Sequence, residues 1–366
     1  MSAPETLETT PLHGLHRELG AEFGAFAGYD MPIRYPAGIM AEHLHCRASA
    51  ALFDVSHMGQ VVLKGEGVIA ALERLVPGDI AALKPGRQRY SMFTNARGGI
   101  LDDLMITRRE DDLYVVVNAG CKGADLAHLQ AHMPAGTVTL LDDRALIALQ
   151  GPKAIDVIAR LDARIRTVPF MAAAALTLNG IDCWVSRSGY TGEDGVEISV
   201  PSDRAEALAR RLLDQPEVEA AGLGARDSLR LESGLCLYGA DLDETTTPVE
   251  AALTWTIGKR RKMEGGFIGA DIIMRQLFDG PARVRVGIRP EGRAPARAHT
   301  PIVDGDGTVI GEITSGGFGP TIGGPVAMGY VTPAFAADGT ALGLVIRGKI
   351  HPAHVAPLPF VPKGWK

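Results

Sequence analysis

Two adjacent acids, Asp102 and Asp103, stand in the apolar stretch GGILDDLMIT at residues 98–107, directly after a glycine turn. Alternate residues of a β-strand point to opposite faces, so one of the two carboxylates must face inward unless the strand bulges. A carboxylate that leaves water is costly unless it is paired. An inward acid in this stretch therefore needs a partner that compensates its charge.

Two further polar side chains, Glu197 and Arg226, have the chemistry of a binding site. Glu197 lies between two apolar β-branched residues of a predicted strand, and the alternation alone favours a solvent-facing acid. Arg226 lies in the first turn of a predicted helix, where the helix dipole disfavours a cation. A surface pair with Asp227 explains Arg226 equally well. With Asp103, these residues support only a cleft between two α+β modules that can hold a polar ligand.

Three other motifs carry weaker chemical signals. The acid, serine and histidine of FDVSHMG (53–59) are adjacent, but a catalytic triad must converge in space, so we expect a strand edge that lines a cleft. The two histidines of AEHLHCR (41–47) point in different directions on a helix, which favours a surface or half-buried helix over a metal site. ITSGGFGPTIGG (313–324) lacks the Lys-Ser/Thr of a phosphate loop and predicts tight turns that can face a partner.

The composition excludes several classes of function. The chain has 366 residues, of which 46% are hydrophobic and 22% charged, as in a soluble protein of two or more domains. A net charge of −6 argues against nucleic-acid binding, and no apolar run is long enough for a membrane. The four cysteines are scattered, and the N-terminal MSAPETLETTPLHG resembles neither a secretion signal nor a basic transit peptide. We therefore expect reduced thiols and a cytoplasmic location.

The elements that must position the polar residues are short strands and helices. Residues 90–107 predict a β-hairpin whose first strand carries Tyr90 and whose second strand carries the acid pair. Residues 52–65 alternate well enough for a single strand, residues 196–200 for another, and residues 226–233 predict a helix.

The order of these elements predicts an α+β fold with two unequal regions. Hairpins with helices against them predict two interleaved α+β modules with antiparallel sheets over residues 10–275. From residue 284 onward, short strands separated by glycine and proline predict an antiparallel β-barrel, and we assign residues 282–366 to that domain.

Several stretches taken together resemble one family, the aminomethyltransferase or T-protein of the glycine cleavage system. They are FDVSHMGQV, GGILDDLM, VVNAG, SRSGYTGEDGVE, GLGARDSLRLESGLCLYGADLDETTTPVEAALTW and GEITSGGFGPTIGGPVAMGYV. The match runs in order from about residue 11 to the end, without large gaps. The resemblance implies a three-domain cloverleaf with folate in a central channel.

The resemblance also implies a reaction and its participants. In the family, a lipoylated carrier, the H-protein, brings an aminomethyl group on its reduced arm. The enzyme moves the carbon to N5 of tetrahydrofolate, releases ammonia and yields 5,10-methylenetetrahydrofolate. No metal, nucleic acid or membrane takes part in this reaction.

The family motifs assign roles to residues at matching positions. The second acid of GGILDDL is the functional carboxylate, so Asp103 rather than Asp102 would hold the pterin nitrogens and stabilise the cationic species formed as ammonia leaves. Glu197 would accept hydrogen bonds from the 2-amino group and N3–H of the pterin, and Arg226 would lie near the folate. Further pocket residues implied by the resemblance are Met58, Tyr90, Tyr190 and, less directly, Asn118. The ending PFVPKGWK matches only loosely, so Lys363 and Trp365 receive no role.

Other proteins of the same fold provide the alternatives. A folate-dependent demethylase would move a methyl group from sulfur or an amine. Amine dehydrogenases carry the folate domain fused to a flavin domain, which this chain lacks. Folate-binding proteins of iron–sulfur assembly carry a cysteine where this chain reads SGYTGEDG, and a purely structural role would leave three polar groups unexplained.

Overall fold

The structure is a computed structural model that describes residues 6–365. These residues contain nine α-helices, all short: α1 His13–Glu18, α2 Ile39–Ala48, α3 Val68–Leu75, α4 Lys122–His132, α5 Ala154–Leu161, α6 Ser202–Leu213, α7 Leu223–Glu232, α8 Lys259–Glu264 and α9 Ala270–Asp279. In this part of the chain, no helix is long and apolar enough to cross a bilayer.

The same residues contain nineteen β-strands. Thirteen precede the C-terminal barrel: β1 Glu22–Phe26, β2 Tyr29–Arg34, β3 Ala50–Asp54, β4 Gly59–Leu63, β5 Gln88–Thr94, β6 Ile100–Arg108, β7 Leu113–Val117, β8 Val138–Leu140, β9 Arg144–Gln150, β10 Ala172–Leu178, β11 Ile181–Arg187, β12 Gly195–Pro201 and β13 Val218–Ala220. Six form the barrel: β14 Val284–Pro290, β15 Pro301–Val303, β16 Val309–Gly319, β17 Gly324–Val331, β18 Ala341–Ile346 and β19 Lys349–Ala356.

The first large sheet has the strand order β10-β11-β12-β9-β3-β13 and is antiparallel except where β13 joins β3. Its central strand β12 is rich in β-branched residues, which suit a pleated surface. Helix α6 packs on the sheet, with Asp203 in its first turn and Arg210 and Arg211 in its last turn, as the helix dipole favours. Ile198 and Leu208 are fully buried where the helix meets the sheet.

The second sheet has the order β5-β6-β7-β4-β8, and its neighbouring pairs are antiparallel. The predicted single strand over residues 52–65 is wrong, because this segment forms β3 in the first sheet and β4 in the second. A turn separates the two strands: the Asp54 carboxylate accepts a hydrogen bond from the Ser56 backbone N–H at 2.9 Å. An alternating pattern cannot reveal a strand that changes sheets, because both halves bury apolar residues.

The C-terminal strands close into a barrel in the order β14-β17-β16-β15-β18-β19, because β14 pairs with both β17 and β19. Its interior is apolar, and Ile288, Ile313 and Leu344 are fully buried there. The mixed α+β fold with antiparallel sheets and a C-terminal barrel, expected from the sequence, is thereby confirmed.

Hydrogen bonds connect the turn between β16 and β17 of the barrel to helices α2 and α7. The Glu232 carboxylate accepts a hydrogen bond from the Thr321 backbone N–H at 2.8 Å and pairs with His43 Nε2 at 3.0 Å. His43 is fully buried, whereas Met40 and Leu44 of the same helix are exposed, so α2 is half-buried, as the sequence predicts. Much of the segment 313–324, expected to form tight turns facing a partner, belongs to the strands of the hairpin, and its turn contacts the chain's own helices.

The β5–β6 turn makes an unusually close backbone contact with the segment before the barrel. A Cβ atom added at Gly99 would lie 1.8 Å from the Glu244 carbonyl oxygen. Backbone atoms cannot move aside as a flexible side chain can, so only glycine fits at this position. The contact holds the turn immediately before the strand that carries the acid pair.

We expect Gly99→Ala to lower the free energy of unfolding by about 1–3 kcal/mol, because the new methyl group displaces the turn. Gly14→Ala is the matched control, since a Cβ at Gly14 has no neighbour within 4 Å and alanine is the better helix former. Urea denaturation of both variants measures the difference. Equal stability of the two variants would refute the close contact.

Candidate active site

A cavity of about 1600 Å³ lies where the two large sheets, α7 and the barrel meet. Strands β6 and β12 and helix α7 contribute to its wall from separate parts of the chain. All the residues that the sequence singled out as site candidates line this cavity: Met58, Tyr90, Asp103, Asn118, Tyr190, Glu197 and Arg226. The fold therefore brings together side chains that are up to 168 positions apart, from Met58 to Arg226.

Strand β6 points its two acids to different places. Asp102 shares a face with the core residues Leu104 and Ile106 and is fully buried. Asp103 and Met105 lie on the other face and line the cavity. The two acids therefore lie on opposite faces of the strand, as the alternation predicts: one acid enters the core and the other faces the cavity.

Asn118, which follows β7, bridges the two acids. Its backbone N–H donates to Asp102 Oδ2 at 3.0 Å, and its Nδ2 lies 2.9 Å from Asp102 Oδ1 and 2.8 Å from Asp103 Oδ1. The Tyr90 hydroxyl donates to the other oxygen of Asp103, Oδ2, at 2.9 Å. Each oxygen of both aspartates thus has a donor, which offsets part of the cost of burying the charges.

The carboxyl group of Asp103 holds its proton more tightly than an ordinary aspartate does. Burial and the nearby charge of Asp102 raise the pKa of Asp103 from 3.8 to about 7, while the hydrogen bonds from Tyr90 and Asn118 oppose this shift. A cation or an N–H donor arriving in the cavity would favour the ionised form. Asp103 can therefore respond to the charge of a ligand near neutral pH.

Glu197 is buried on β12, so the solvent-facing position that its pattern favoured is wrong. β12 is an interior strand of its sheet, hydrogen-bonded to β11 and β9, and other elements cover the face that carries Glu197. Its carboxylate accepts one long hydrogen bond, from Ser188 Oγ at 3.5 Å. Burial raises the pKa of Glu197, and the positive charge of Arg226 opposes the shift.

Arg226 is not half of a surface pair with its neighbour Asp227, which instead pairs with Arg230 at 2.9 Å. The Arg226 guanidinium lies over the ring of Tyr190, 4.8 Å from the ring centre. The buried Nη1 atom of Arg226 has no hydrogen-bond partner within residues 6–365. Burial lowers the pKa of this guanidinium, while the charge of Glu197 counteracts the effect.

Aromatic residues near the acids were only partly foreseen. Trp255, which the sequence did not single out, stacks on Tyr90 with ring centres 5.7 Å apart, although 66% of Trp255 is exposed. Trp365, which received no role, also lines the cavity and stacks on Phe170 at 4.7 Å. Trp255 lies in a 3-10 helix of only three residues and Trp365 follows the last strand, so periodicity could not place either of them at the cavity.

The FDVSHMG segment is not a catalytic triad. Asp54 is fully occupied in the core, where it accepts hydrogen bonds from Thr10 Oγ1 at 2.6 Å and His16 Nε2 at 2.9 Å. His57 lines the cavity, and burial lowers its pKa to about 4, which leaves the ring neutral. Within residues 6–365, no group of three His, Cys, Asp or Glu side chains could hold a metal ion.

Comparison with known proteins identifies the family. The GCVT N-terminal domain matches residues 12–261, and the glycine cleavage T-protein C-terminal barrel domain matches residues 283–362. The chain belongs to the glycine cleavage T-protein family. It is 48% identical to the mitochondrial aminomethyltransferase of Flaveria anomala over 367 residues, which cover 97% of this chain and 90% of that protein. It is also 48% identical to the mitochondrial aminomethyltransferase of Gallus gallus over 370 residues, which cover 99% of this chain and 94% of that protein.

A solved structure agrees with this assignment. The glycine cleavage system aminomethyltransferase T from Bartonella henselae superposes with a TM-score of 0.93 at 45% identity and covers 98% of this chain and 99% of its own. The activity expected from the sequence motifs, that of an aminomethyltransferase of the glycine cleavage system, is thereby confirmed.

One expectation is corrected by the same comparisons. The predicted cytoplasmic location is wrong, because the similar aminomethyltransferases from plants, Dictyostelium discoideum and Gallus gallus are named as mitochondrial. That prediction rested on the composition of a short N-terminal stretch, which carries far less information than identity over nearly the whole chain.

We expect Asp103→Asn to make the protein more stable above neutral pH. Because the folded state raises this pKa from 3.8 to about 7, the folded state binds more protons than the unfolded state in that interval, and stability falls as pH rises through it. The variant lacks this loss, so its stability relative to the wild type should increase by up to about 4 kcal/mol between pH 4 and pH 8. Urea denaturation at both pH values measures the change. Asp111→Asn, at an exposed position, is the control, and an equal pH response of both variants would contradict the prediction.

Proposed function

We propose that the cavity binds tetrahydrofolate and that the chain transfers to it the one-carbon unit of an aminomethylated lipoyl arm carried by the H-protein. The products are 5,10-methylenetetrahydrofolate and ammonia. One observation supports this proposal above others: Glu197 and Arg226 face the cavity with hydrogen-bonding capacity that the described protein residues leave largely unused. Buried polar groups are normally satisfied, so this pair is suited to a polar ligand.

Glu197 has the chemistry to bind the edge of a pterin. The 2-amino group and N3–H of a pterin are two parallel donors, and a carboxylate can accept both in one plane. Arg226 opposes the charge of Glu197 and can donate from its free Nη1 to a ligand oxygen. Tyr190, whose hydroxyl donates to the Cys236 carbonyl, offers a fixed ring beside them.

Asp103 has the chemistry to act on the transferred carbon. Its carboxylate is held by Tyr90 and Asn118 and faces the cavity, so it is oriented before any ligand arrives. A fixed negative charge stabilises the cationic carbon–nitrogen species that forms when ammonia leaves. The same carboxylate can accept a hydrogen bond from N10 of the folate and hold the acceptor in place.

The size of the cavity suits a reaction between two large groups. Its volume of about 1600 Å³ exceeds the roughly 300–1,000 Å³ that usually holds one drug-sized ligand. Both a folate and the end of a lipoyl arm can occupy such a space. Holding the two reactants together would supply a large part of the rate enhancement.

We expect the purified protein, given tetrahydrofolate and aminomethylated H-protein, to release ammonia and form methylenetetrahydrofolate. Asp103→Asn should lower kcat by about 100-fold or more because it removes the stabilising charge, while the Kd for tetrahydrofolate changes by less than about 3-fold. Ammonia release measures kcat, and protein fluorescence titration measures Kd.

Asp111→Asn serves as the control and should retain full turnover, because this aspartate is exposed and lies outside the cavity lining. Absence of ammonia release by the wild type with a competent carrier would reject the proposed reaction. Methyl transfer from an amine or thioether donor in its place would indicate the demethylase alternative.

Glu197→Ala should act mainly on binding. Losing hydrogen bonds to a charged acceptor costs about 1.5–3 kcal/mol, so the Kd for tetrahydrofolate should rise by roughly 10- to 100-fold. Glu66→Ala removes an exposed glutamate and should leave the Kd unchanged. Isothermal titration with tetrahydrofolate compares the two variants, and unchanged affinity of Glu197→Ala would remove the pterin assignment.

A further inference from the structure

A third carboxyl group, that of Asp125, lies behind the acid pair. Asp125 is in the first turn of α4 and is only 3% exposed. Its Oδ2 atom is buried and finds no hydrogen-bond donor within residues 6–365, yet the carboxyl lies within hydrogen-bond reach of Asp102. Two ionised carboxylates cannot hydrogen-bond to each other, so this contact requires a proton on one of them.

The surroundings place that proton on Asp125. Both oxygens of Asp102 already accept N–H groups of Asn118, at 2.9 and 3.0 Å, which favours the ionised form of Asp102. Burial raises the pKa of both carboxyls, but the hydrogen bonds from Asp125 and Asn118 lower that of Asp102, whereas the charge of Asp102 raises that of Asp125 further, to about 9. At neutral pH, Asp125 is therefore the donor and Asp102 the acceptor.

The contact between Asp125 and Asp102 affects the orientation of the side-chain amide of Asn118. Its NH₂ group has two hydrogens and lies within hydrogen-bond distance of one carboxylate oxygen of Asp102 and one of Asp103, at 2.9 and 2.8 Å. A flipped amide would turn its oxygen toward the two carboxylates, which is repulsive. An anionic Asp102 thus fixes the orientation in which Asn118 donates to Asp103.

We propose that Asp125 is a positioning residue for the reaction: its protonated carboxyl donates to Asp102, Asp102 orients the Asn118 amide, and the amide holds Asp103 toward the cavity. The inference rests on the proposed role of Asp103. The proton stays on Asp125 throughout, and no proton moves to the substrate along this chain of hydrogen bonds. When Asp125 ionises at alkaline pH, its donor is lost and a second negative charge faces Asp102.

Two substitutions separate the hydrogen bond from the mere presence of a side chain. Asp125→Asn keeps an N–H donor of similar size toward Asp102 and cannot ionise, whereas Asp125→Ala removes the donor. At pH 7, Asp125→Ala should lower kcat by about 10-fold, the effect of one lost hydrogen bond, with less than a 3-fold change in KM for tetrahydrofolate. Asp125→Asn should stay within about 3-fold of the wild type.

The pH profile gives the sharper test. Above about pH 9, the wild type should lose activity relative to Asp125→Asn, because only the wild type can ionise at this position. Asp156→Ala is the matched control: it removes an acid from the first turn of another helix, α5, at an exposed position. If Asp125→Ala does not fold, the ratio of Asp125→Asn to wild-type activity across pH still decides the question.

Infrared difference spectra provide a readout that does not depend on folate chemistry. The wild type at pH 8 should show the carbonyl stretch of a buried protonated carboxyl, and Asp125→Asn should lack it. Absence of that band in the wild type, a constant activity ratio across pH, or equal impairment of both Asp125 variants would each overturn the inference. A wild type that shows the band but fails to release ammonia would instead locate the failure in the proposed reaction.

Discussion

The bridge that Asn118 makes between Asp102 and Asp103 is the interaction on which the rest of the site depends. Two adjacent acids on one strand would normally repel each other when buried, and the amide offers one N–H to each of them. The bridge keeps one carboxylate in the core and leaves the other facing the cavity. The β5–β6–β7 register supports it, because Tyr90 and Asn118 flank the strand that carries the acids.

The position of the barrel depends on a second buried cluster of charges. Glu232 of α7 pairs with His43 at 3.0 Å and with Arg47 at 3.3 Å, and its other oxygen accepts a hydrogen bond from the β16–β17 turn. Removing one partner from such a buried cluster is strongly destabilising. These contacts therefore favour a single position of the barrel relative to α2 and α7. Arg226 lies on the same helix, about one and two-thirds turns before Glu232, so the helix that anchors the barrel also carries a group of the cavity.

Sequence patterns predicted the secondary-structure elements better than they predicted the burial and the contacts of individual side chains. The hairpin with Tyr90 and the acid pair followed from turn residues and alternation, and both are local properties. The burial of Glu197 could not be predicted, because it depends on a distant part of the chain covering one face of β12. The assignment of 52–65 to two sheets was missed for the same reason. The pairing of Asp227 with Arg230 is local, because residues three apart on a helix are neighbours, and the sequence analysis considered only the adjacent Arg226. The family motifs indicated Asp103, whereas the role of Asp125 requires the contact with Asp102, 23 positions away.

Burying the charged groups of the cavity lowers the stability of the folded protein. Burial raises the pKa of both Asp103 and Glu197 and lowers that of Arg226, so folding disfavours the charged form of all three groups. Apolar residues of similar volume would be more stable at these positions. A ligand with N–H donors and developing positive charge would offset this cost when it binds, because such groups stabilise the ionised carboxylates. Binding free energy would then be used where charge forms during the reaction, which lowers the barrier rather than only tightening the complex.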